Sequence, residues 1–473
     1  MNIPGQPAEA LGWKKSFLYL ALAVICFNVA YATLKIPALD LLIFGYAYSL
    51  IQLANQPTVR RAFYFGLGVG FACAAGQAFF FWNIFHAAAV ILWLVFAFWI
   101  GLFVAISCGC IRRWGKTKAV WLIPFIWTGL EYFRSELYYF KFSWLNIGYV
   151  FSNCSNELLY TAGMYGIGFL VFSIVSLFSF RNCVKTNYSA YVALSLFLLA
   201  FALCIPSRVM LNKQFPQSVK ITGIQLEFPP ENIIPEVLNQ ALRKNPDASL
   251  FVLSEYTLDG GVPDSLKNWC REHSRYLVVG GKDIVTNEVY YDTAFVVGTN
   301  GEVVFKQAKS VPIQCFKDGL AATNQQVWNS PWGKIGICIC YDLSYTRVTD
   351  ELVRQGAQLF IIPTMDVEDW GRHEHELHSR VAPTRAAEYG ISIFRVASSG
   401  ISQAVQKTGR VVASTGIPAR GEIFSAQLLL STRGVLPVDR FFAPLCVIVT
   451  GIVTAILLFL NWKDRRLNQQ TKP

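Results

Sequence analysis

Three side chains in the second half of the chain have the types and the order needed for acyl transfer through a thiol. Glu255 follows the mostly apolar run 250–254, Lys309 comes soon after the run 303–305, and Cys340 lies at the end of the alternating run 333–341. A base must remove the thiol proton, and a cation must stabilise the charge that develops on the attacked carbonyl oxygen. Each residue alone is more often a packing or surface residue. Together they predict a Glu–Lys–Cys site.

Two cysteines compete for the role of nucleophile. Cys338 and Cys340 are two residues apart, so in a strand both side chains point to the same face. We favour Cys340, because a turn after the predicted strand end exposes its sulfur and aims backbone N–H groups at an oxyanion. The N–H of Tyr341 is the predicted oxyanion donor.

The elements that position these residues form one domain after Pro206. Apolar runs typical of strands alternate there with helical patterns over about 220 residues, which predicts a single α/β domain with a buried sheet. The predicted helices are 232–244, 263–274, 345–356 and 373–390. The predicted strands are 219–226, 250–254, 276–281, 290–298, 333–341, 359–364 and 391–398.

The rest of the chain has the composition of a membrane protein. Hydrophobic residues make up 53% of the sequence and charged residues only 15%. The sequence therefore predicts about eight transmembrane helices, with a membrane domain at 1–212, the catalytic domain at 213–432, and a last span with a basic tail at 433–473. The eight apolar stretches are 16–33, 36–54, 62–85, 87–111, 119–132, 158–180, 188–205 and 441–460.

The basic residues predict the orientation of these spans. Five basic loops or tails fall on one side of the membrane if every span is real, which places the segment 207–440 outside the cytoplasm. Much of the net charge of +11 lies in these loops, where anionic lipid explains it better than nucleic acid does. The first stretch also resembles a cleavable signal peptide ending near Ala32, and we favour an uncleaved span over that alternative.

The residues around Cys340 carry a family resemblance. The segment 336–343 (Gly-Ile-Cys-Ile-Cys-Tyr-Asp-Leu) resembles the nitrilase, or carbon–nitrogen hydrolase, superfamily, whose members have a Glu–Lys–Cys triad in an α-β-β-α sandwich. An inserted domain of this kind before the last of eight spans resembles the apolipoprotein N-acyltransferase family. Other segments that are similar to that family are 127–134, 142–149, 223–225, 385–388 and 395–402.

The resemblance implies a fold, a reaction and a location. The fold is a polytopic α-helical membrane protein with an inserted nitrilase-like sandwich. The reaction moves a fatty acyl chain from a phospholipid, through a thioester on Cys340, to the N-terminal amine of a diacylated apolipoprotein. The expected location is the bacterial inner membrane, with the catalytic domain on the periplasmic face. Lys309 is preferred to Lys306 as the cation, because it lies three residues before Pro312, as in the family.

Two alternatives to the acyltransferase stay open. A membrane-tethered amidase or nitrilase would use the same acyl-enzyme step with water as the acceptor. A membrane sensor or transporter would carry a non-catalytic nitrilase-like domain, but the intact triad and the few charges within the spans favour an enzyme.

The chain departs from the family pattern at two carboxylates. The family usually has Glu two residues after the nucleophile, where this chain has Asp342. The segment after Lys309 lacks the family's second essential Glu, and Asp318 is the candidate to replace it.

The histidines of the segment 373–378 suggest a metal, but they lack the H-E-x-x-H spacing. A solvated helix or a wall of the active site is the preferred interpretation. No C-x-x-C pair is present, which argues against zinc and thioredoxin-like sites. We expect neither a metal nor another cofactor.

Overall fold

The computed structural model describes residues 11–32, 36–152, 157–181, 217–286, 289–416, 422–430 and 433–470. The contacts divide the chain into two compact units. Most of the helices up to Ser179 form one unit with the last helix of the chain, and the residues from Ser218 to Pro437 belong to the other.

The first unit is helical. Its last helix covers Asp439–Gln470, and a π-helix at Phe133–Leu137 and 3-10 helices at His86–Ala88 and Ile147–Phe151 connect some of the earlier ones. The earlier helices are α1 (Trp13–Ala30), α2 (Pro37–Asp40), α3 (Leu42–Leu53), α4 (Val59–Gln77), α5 (Phe81–Phe85), α6 (Ala89–Trp114), α7 (Lys116–Tyr132) and α8 (Glu157–Ser179).

Within the described ranges, four helical segments are long and apolar enough to cross a membrane. They are Trp13–Ala30, Phe81–Trp114, Glu157–Ser179 and Asp439–Leu467. The apolar helix Ala38–Leu53 is shorter than the roughly 20 residues that a bilayer requires. The predicted span 188–205 lies outside the described residues. Seven of the eight predicted stretches coincide with helices, but the number of spans stays a prediction.

Two charged side chains of the helical unit hold a loop. Glu131 accepts a hydrogen bond from the backbone N–H of Ile147 at 3.0 Å, and Arg134 donates to the Phe142 carbonyl at 2.9 Å and to the Asn146 side chain at 2.5 Å. The segment that carries the resemblance in this half of the chain is therefore tied to the end of α7.

The second unit contains two six-stranded mixed sheets. One sheet has the order β12-β1-β2-β3-β4-β5 and the other the order β11-β10-β9-β8-β7-β6. Strands β1, β2 and β3 are parallel, as are β7, β8 and β9, and the outer strands pair antiparallel. The strands are β1 (Ser218–Ile224), β2 (Leu250–Leu253), β3 (Tyr276–Thr286), β4 (Val289–Val297), β5 (Val303–Ala308), β6 (Val327–Ser330), β7 (Gly333–Ile337), β8 (Leu359–Thr364), β9 (Ser392–Ala397), β10 (Gln403–Val405), β11 (Val411–Ser414) and β12 (Ile423–Leu429).

Helices cover the outer faces of both sheets, so the predicted α-β-β-α sandwich is confirmed. The inner core includes Val252 and Val278 from one sheet and Ile337 and Ile361 from the other. Helices α9 (Ile234–Lys244) and α10 (Asp264–His273) pack on the first sheet. Three helices follow β7 and β8 in the chain, namely α11 (Thr346–Arg354), α12 (Arg372–Ser379) and α13 (Val381–Tyr389). The ring of Tyr389, at the end of α13, packs against Phe360 of the second sheet. Short 3-10 helices cover Glu231–Ile233, Cys340–Ser344 and Glu368–Trp370.

The strand that leads to Cys340 is shorter than the sequence predicted. It ends at Ile337, and a 3-10 helix begins at Cys340. The carboxylate of Asp342 accepts a hydrogen bond from the backbone N–H of Ile339 at 3.3 Å. This contact competes with continued strand pairing, because the N–H of Ile339 bonds to the Asp342 side chain and not to a neighbouring strand.

Candidate active site

The predicted site residues meet where four strands end. Glu255 follows β2, Lys309 follows β5 and Cys340 comes three residues after β7. Met365 follows β8, and its backbone contacts both Glu255 and Cys340. Ligand sites in α/β sheets commonly lie beyond the carboxyl ends of parallel strands, and β2, β7 and β8 are parallel strands.

Lys309 lies at the centre of three carboxyl groups. Its Nζ is 2.7 Å from Glu255 Oε1, 2.7 Å from Asp318 Oδ2 and 3.4 Å from Asp292 Oδ2. The lysine side chain is fully buried. Burial acts to lower the pKa of the ammonium, but the charges of Glu255 and Asp318 outweigh this effect, so the pKa of Lys309 lies well above its usual value. A fixed positive charge therefore lies inside the site.

The carboxylate of Glu255 links the lysine to the thiol. Its Oε2 accepts a hydrogen bond from the backbone N–H of Met365 at 2.5 Å, and its charge acts on the Cys340 thiol, whose sulfur lies 3.6 Å from the carbonyl oxygen of the same Met365. Burial acts to raise the pKa of Glu255, but Lys309 and its hydrogen-bond partners hold that pKa below the usual range. A Cβ on Gly280 would lie 2.6 Å from the Cα of Glu255, so only glycine permits β3 to pass this close.

Cys340 has a strained backbone and a buried thiol. Its φ of 51° is in the left-handed region, which a residue with a side chain rarely adopts outside functional sites. The sulfur lies 3.6 Å from the carbonyl oxygen of Met365, and the residue is only 2% exposed. The sequence-based expectation that the turn exposes the sulfur is therefore wrong. Burial raises the pKa of the thiol well above its usual value, and the Glu255 charge adds to the rise.

The structure separates the competing residues of each type. Cys338 is also buried. The charges that act on its thiol are those of Asp342 and Arg385, rather than those of Glu255 and Lys309. The side chain of Lys306 is 57% exposed and pairs with Asp283 at the surface. Because side chains alternate along a strand, Lys306 and Lys309 point to opposite faces. The structure places Cys340 and Lys309, rather than Cys338 and Lys306, beside Glu255.

Asp342 joins the nucleophile turn to the lysine segment. Its oxygens accept hydrogen bonds from the backbone N–H of Ser310 at 3.0 Å and of Val311 at 2.7 Å, besides that of Ile339. Ser310 directly follows Lys309. Asp342 therefore supports the site through backbone contacts, two residues after Cys340. Tyr341 lies between them in the first turn of the 3-10 helix, where its N–H was predicted to act as an oxyanion donor.

Asp318, the candidate to replace the family's second Glu, lies against Lys309. Besides Lys309, its carboxylate accepts hydrogen bonds from the Tyr256 hydroxyl at 2.9 Å and from the backbone N–H of Ile313 at 2.6 Å. The loop after it is held against β4 by a hydrogen bond from the Leu320 N–H to the Tyr290 carbonyl. The shorter carboxylate is thus brought to the lysine by its loop.

A buried cluster of ionisable groups lies next to Met365. Asp366 pairs with His378 at 2.7 Å and with Arg395 at 2.5 Å, and Glu374 lies 3.0 Å from His375. His375 and His378 are both buried, so the interpretation of this helix as solvated is wrong. The remaining interpretation, a wall of the active site, agrees with the position of Asp366 directly after Met365.

Two groups of side chains have the spacing of metal ligands. They are Asp366, Glu374 and His378 in one group, and Glu255, Asp292 and Asp318 in the other. The ammonium of Lys309 already lies among the second group, and the guanidinium of Arg395 pairs with Asp366 in the first. A metal ion at either place would meet a fixed positive charge at close range, so the donor sets do not fit a metal cofactor.

A cavity of about 480 Å³ opens beside the site. This volume lies within the range of roughly 300–1,000 Å³ that is typical of small-molecule sites. Tyr256, Asp318 and Met365 line it and also contact the triad or its partners. Most of the remaining lining is apolar or aromatic, with Phe228, Leu258, Phe316, Val367 and Trp370 among its residues.

The sequence analysis missed the residues that act through their neighbours. Asp292, Met365, Asp366 and Arg395 all lie within or beside the site, but none has a distinctive spacing to the triad. For Asp292 one signal was available, because it is the one charged residue of the run 290–298.

A different family model matches each half of the chain. The family model for the apolipoprotein N-acyltransferase N-terminal domain matches residues 15–177, and that for carbon–nitrogen hydrolase matches residues 213–435. A deaminated glutathione amidase of Dictyostelium discoideum is 23% identical over 32% of this chain, which spans 60% of that relative's length. Yeast Nit3, from Saccharomyces cerevisiae, a solved member of the nitrilase superfamily, is 21% identical with a TM-score of 0.40, over 45% of this chain and 90% of Nit3.

Relatives that match both halves are apolipoprotein N-acyltransferases. That of Borreliella burgdorferi is 21% identical, and the match covers 89% of this chain and 92% of the relative. That of Aquifex aeolicus is 24% identical, with 65% of this chain and 78% of the relative covered. The helical N-terminal part and the nitrilase-like part are both matched, in the same order as in these relatives. The chain therefore belongs to the apolipoprotein N-acyltransferase family of the nitrilase superfamily.

Proposed function

We propose that this protein transfers a fatty acyl chain from a membrane phospholipid to the N-terminal amine of a diacylglyceryl-cysteine apolipoprotein, through a thioester on Cys340. The observation that carries the proposal is the position of the Glu255 carboxylate, which accepts a hydrogen bond from the Lys309 ammonium at 2.7 Å and, like the Cys340 sulfur, contacts the backbone of Met365. A base, a cation and a nucleophile are thus brought together in one buried site. The family to which the chain belongs supports this acceptor.

In the first half-reaction, Glu255 takes the thiol proton as the sulfur attacks the ester carbonyl carbon. The raised pKa of Cys340 and the lowered pKa of Glu255 keep the resting pair as thiol and carboxylate, so the proton moves only as the S–C bond forms. Lys309 and the backbone N–H of Tyr341 stabilise the oxyanion. When the C–O bond breaks, Glu255 returns the proton to the departing lysophospholipid hydroxyl.

In the second half-reaction, the amine of the acceptor attacks the thioester carbonyl. Glu255 removes the proton that the amine loses, the C–S bond breaks, and the sulfur regains that proton from Glu255. The amide product and the free thiol are restored without a cofactor. Asp318 hydrogen-bonds Tyr256 and pairs with Lys309 at the wall of the cavity, where an incoming amine would approach.

The membrane location follows from the substrates. Both the donor and the acceptor carry acyl chains, and the apolar helices of the first unit support a membrane-embedded enzyme. We place the protein in the bacterial inner membrane with the segment 207–440 on the periplasmic face, from the basic loops. A protease added from the periplasmic side should therefore cut this segment, whereas protection of the segment would overturn the orientation.

The reaction is tested with full-length protein and a phospholipid that carries a labelled acyl chain. After an acid quench, we expect label on the wild-type protein that hydroxylamine releases, as it does from a thioester. Cys340→Ala should carry no label, while Cys338→Ala and Cys315→Ser should keep it. Cys315 serves as a control because it is exposed and open to adventitious acylation.

The acceptor is tested by adding a diacylated lipopeptide to the labelled enzyme. We expect the label to move to the amine of the lipopeptide. Release of free fatty acid without lipopeptide acylation would instead support the membrane-tethered hydrolase, and the absence of any labelled enzyme or fatty acid would support the non-catalytic sensor or transporter.

A further inference from the structure

Asp292 is a buried carboxyl group that the reaction above does not use. It lies on β4 directly opposite Lys309, whose backbone N–H donates to the Asp292 carbonyl at 2.8 Å. The residue is fully buried, and among the described residues none donates a hydrogen bond to either carboxyl oxygen. A buried ionised carboxylate without a donor costs several kcal/mol or more, so this group requires another explanation.

The charges around Asp292 favour its neutral form. Oxygens of Glu255, Asp292 and Asp318 lie within 4.8 Å of one another around the single ammonium of Lys309. The lysine makes its two short contacts with Glu255 and Asp318, at 2.7 Å, and lies 3.4 Å from Asp292. Two carboxylates already exceed the one positive charge, and a third would add a further uncompensated charge in a buried place.

The charged groups that act on Asp292 are more negative than positive in sum. Among the described residues these groups are Glu255, Lys309 and Asp318, and the phenol of Tyr256 lies nearby, on Asp318. Burial raises the pKa of Asp292 well above its usual range, and the Glu255 charge adds to the rise. The loop at Gly319 packs closely on β4. A Cβ on Gly319 would lie only 2.9 Å from the backbone nitrogen of Asp292.

We propose that Asp292 is a positioning residue for Glu255: a neutral carboxylic acid that donates its O–H to the Glu255 carboxylate. The role rests on the acyl transfer proposed above. Asp292 keeps its proton throughout the cycle, while Glu255 takes and returns the proton of the thiol or the amine. The hydrogen bond orients Glu255 and keeps it ionised, and a neutral Asp292 competes only weakly for the third N–H of Lys309, which stays available to the oxyanion.

The protonation state can be measured without substrate. Infrared spectra of the full-length protein at neutral pH should contain the carbonyl stretch of a protonated carboxyl that disappears in Asp292→Asn. The matched control is Asp283→Asn, since Asp283 pairs with the exposed Lys306 on the same sheet; it should leave that band in place. Loss of a carboxylate band in Asp292→Asn, with no loss of a protonated band, would overturn the proposal.

Kinetics then tests the positioning role. Asp292→Asn keeps an N–H donor and should retain the acylation rate within about threefold, whereas Asp292→Ala should lose about tenfold to a hundredfold, the scale for a hydrogen bond to a charged group. The acidic limb of the pH–rate profile should move to higher pH in Asp292→Ala only, because ionised Glu255 loses its donor. Equal losses in both variants with unmoved profiles would contradict the proposal. If the wild type forms no acyl-enzyme, the proposed function fails, and the infrared result still decides the state of Asp292.

Discussion

Asp342 accepts a hydrogen bond from the backbone N–H of Ser310 through both of its carboxylate oxygens, each at 3.0 Å. This contact joins the turn that carries Cys340 to the segment that begins with Lys309. The nucleophile and the cation come from different sheets, so their separation depends on such a direct connection. A carboxylate is suited to it, because it accepts several backbone N–H bonds at once.

Asp342→Asn should reduce the acylation rate by about tenfold or more, because the amide NH2 would face backbone donors that now lack an acceptor. The loss should appear in the rate of thioester formation measured with labelled phospholipid. Asp247→Asn is the control, since Asp247 is exposed and pairs with Lys220 at the surface. An unchanged rate in Asp342→Asn would show that the two segments are held together by other contacts.

Lys309→Ala should reduce the acylation rate by about a hundredfold or more, the usual scale for removing one oxyanion donor. Lys306→Ala should change the rate little, because that side chain pairs with Asp283 at the surface. The measurement is single-turnover acylation of each variant, with thermal unfolding to establish that both are folded. A comparable loss in Lys306→Ala would move the cation three residues upstream.

Asp318→Asn should affect mainly the second half-reaction. Asp318 touches Lys309 and Tyr256 at the wall of the cavity rather than the thiol, so acyl-enzyme should accumulate while transfer to the lipopeptide slows. The two half-reactions are measured separately, as label on the protein and label on the lipopeptide amine. A variant that forms no acyl-enzyme at all would instead place Asp318 in the first step, with a role equal to that of Lys309.

Glu374→Gln should stabilise the protein at pH 8 and have little effect at pH 5. Burial, with a further contribution from Asp366, raises the pKa of Glu374 from 4.5 to about 7. The folded state therefore holds this proton more tightly than the unfolded state, and its contribution to stability is lost as the pH rises through about 7. The shift corresponds to about 3 kcal/mol, by the usual 1.36 kcal/mol for each pKa unit.

The measurement is thermal unfolding of the full-length protein at both pH values. The substitution leaves unchanged the ionisable side chains that face Glu374, which are Asp366, His375, His378 and Arg395. Glu376→Gln is the control, because Glu376 lies on the same helix and pairs with Arg372 at the surface. A Glu374→Gln protein that is destabilised equally at pH 5 and pH 8 would mean that the carboxylate is a required partner of the cluster.

Much of the candidate site could be predicted because its chemistry is local. Glu255, Lys309 and Cys340 each lie shortly after an apolar run, and strand ends are visible in a pattern of period two. The same period separates Lys309 from Lys306. The apolar stretches likewise predicted the helices, because a membrane span is defined by composition over about 20 residues.

What the sequence could not determine depends on which strands become neighbours. Asp292 faces Lys309 because β4 pairs with β5 in one register, and Met365 reaches Glu255 and Cys340 because β8 lies beside β7 while β2 belongs to the facing sheet. Strand β12 returns to pair with β1 across about two hundred residues of chain, so no local pattern predicts the pairing. The burial of His378 has the same origin, since only the tertiary structure brings its partner Asp366 within hydrogen-bonding distance. The sequence by itself determined which residue types are available at the strand ends, and the packing of two sheets decided which carboxyl groups surround the lysine and which of them can stay charged.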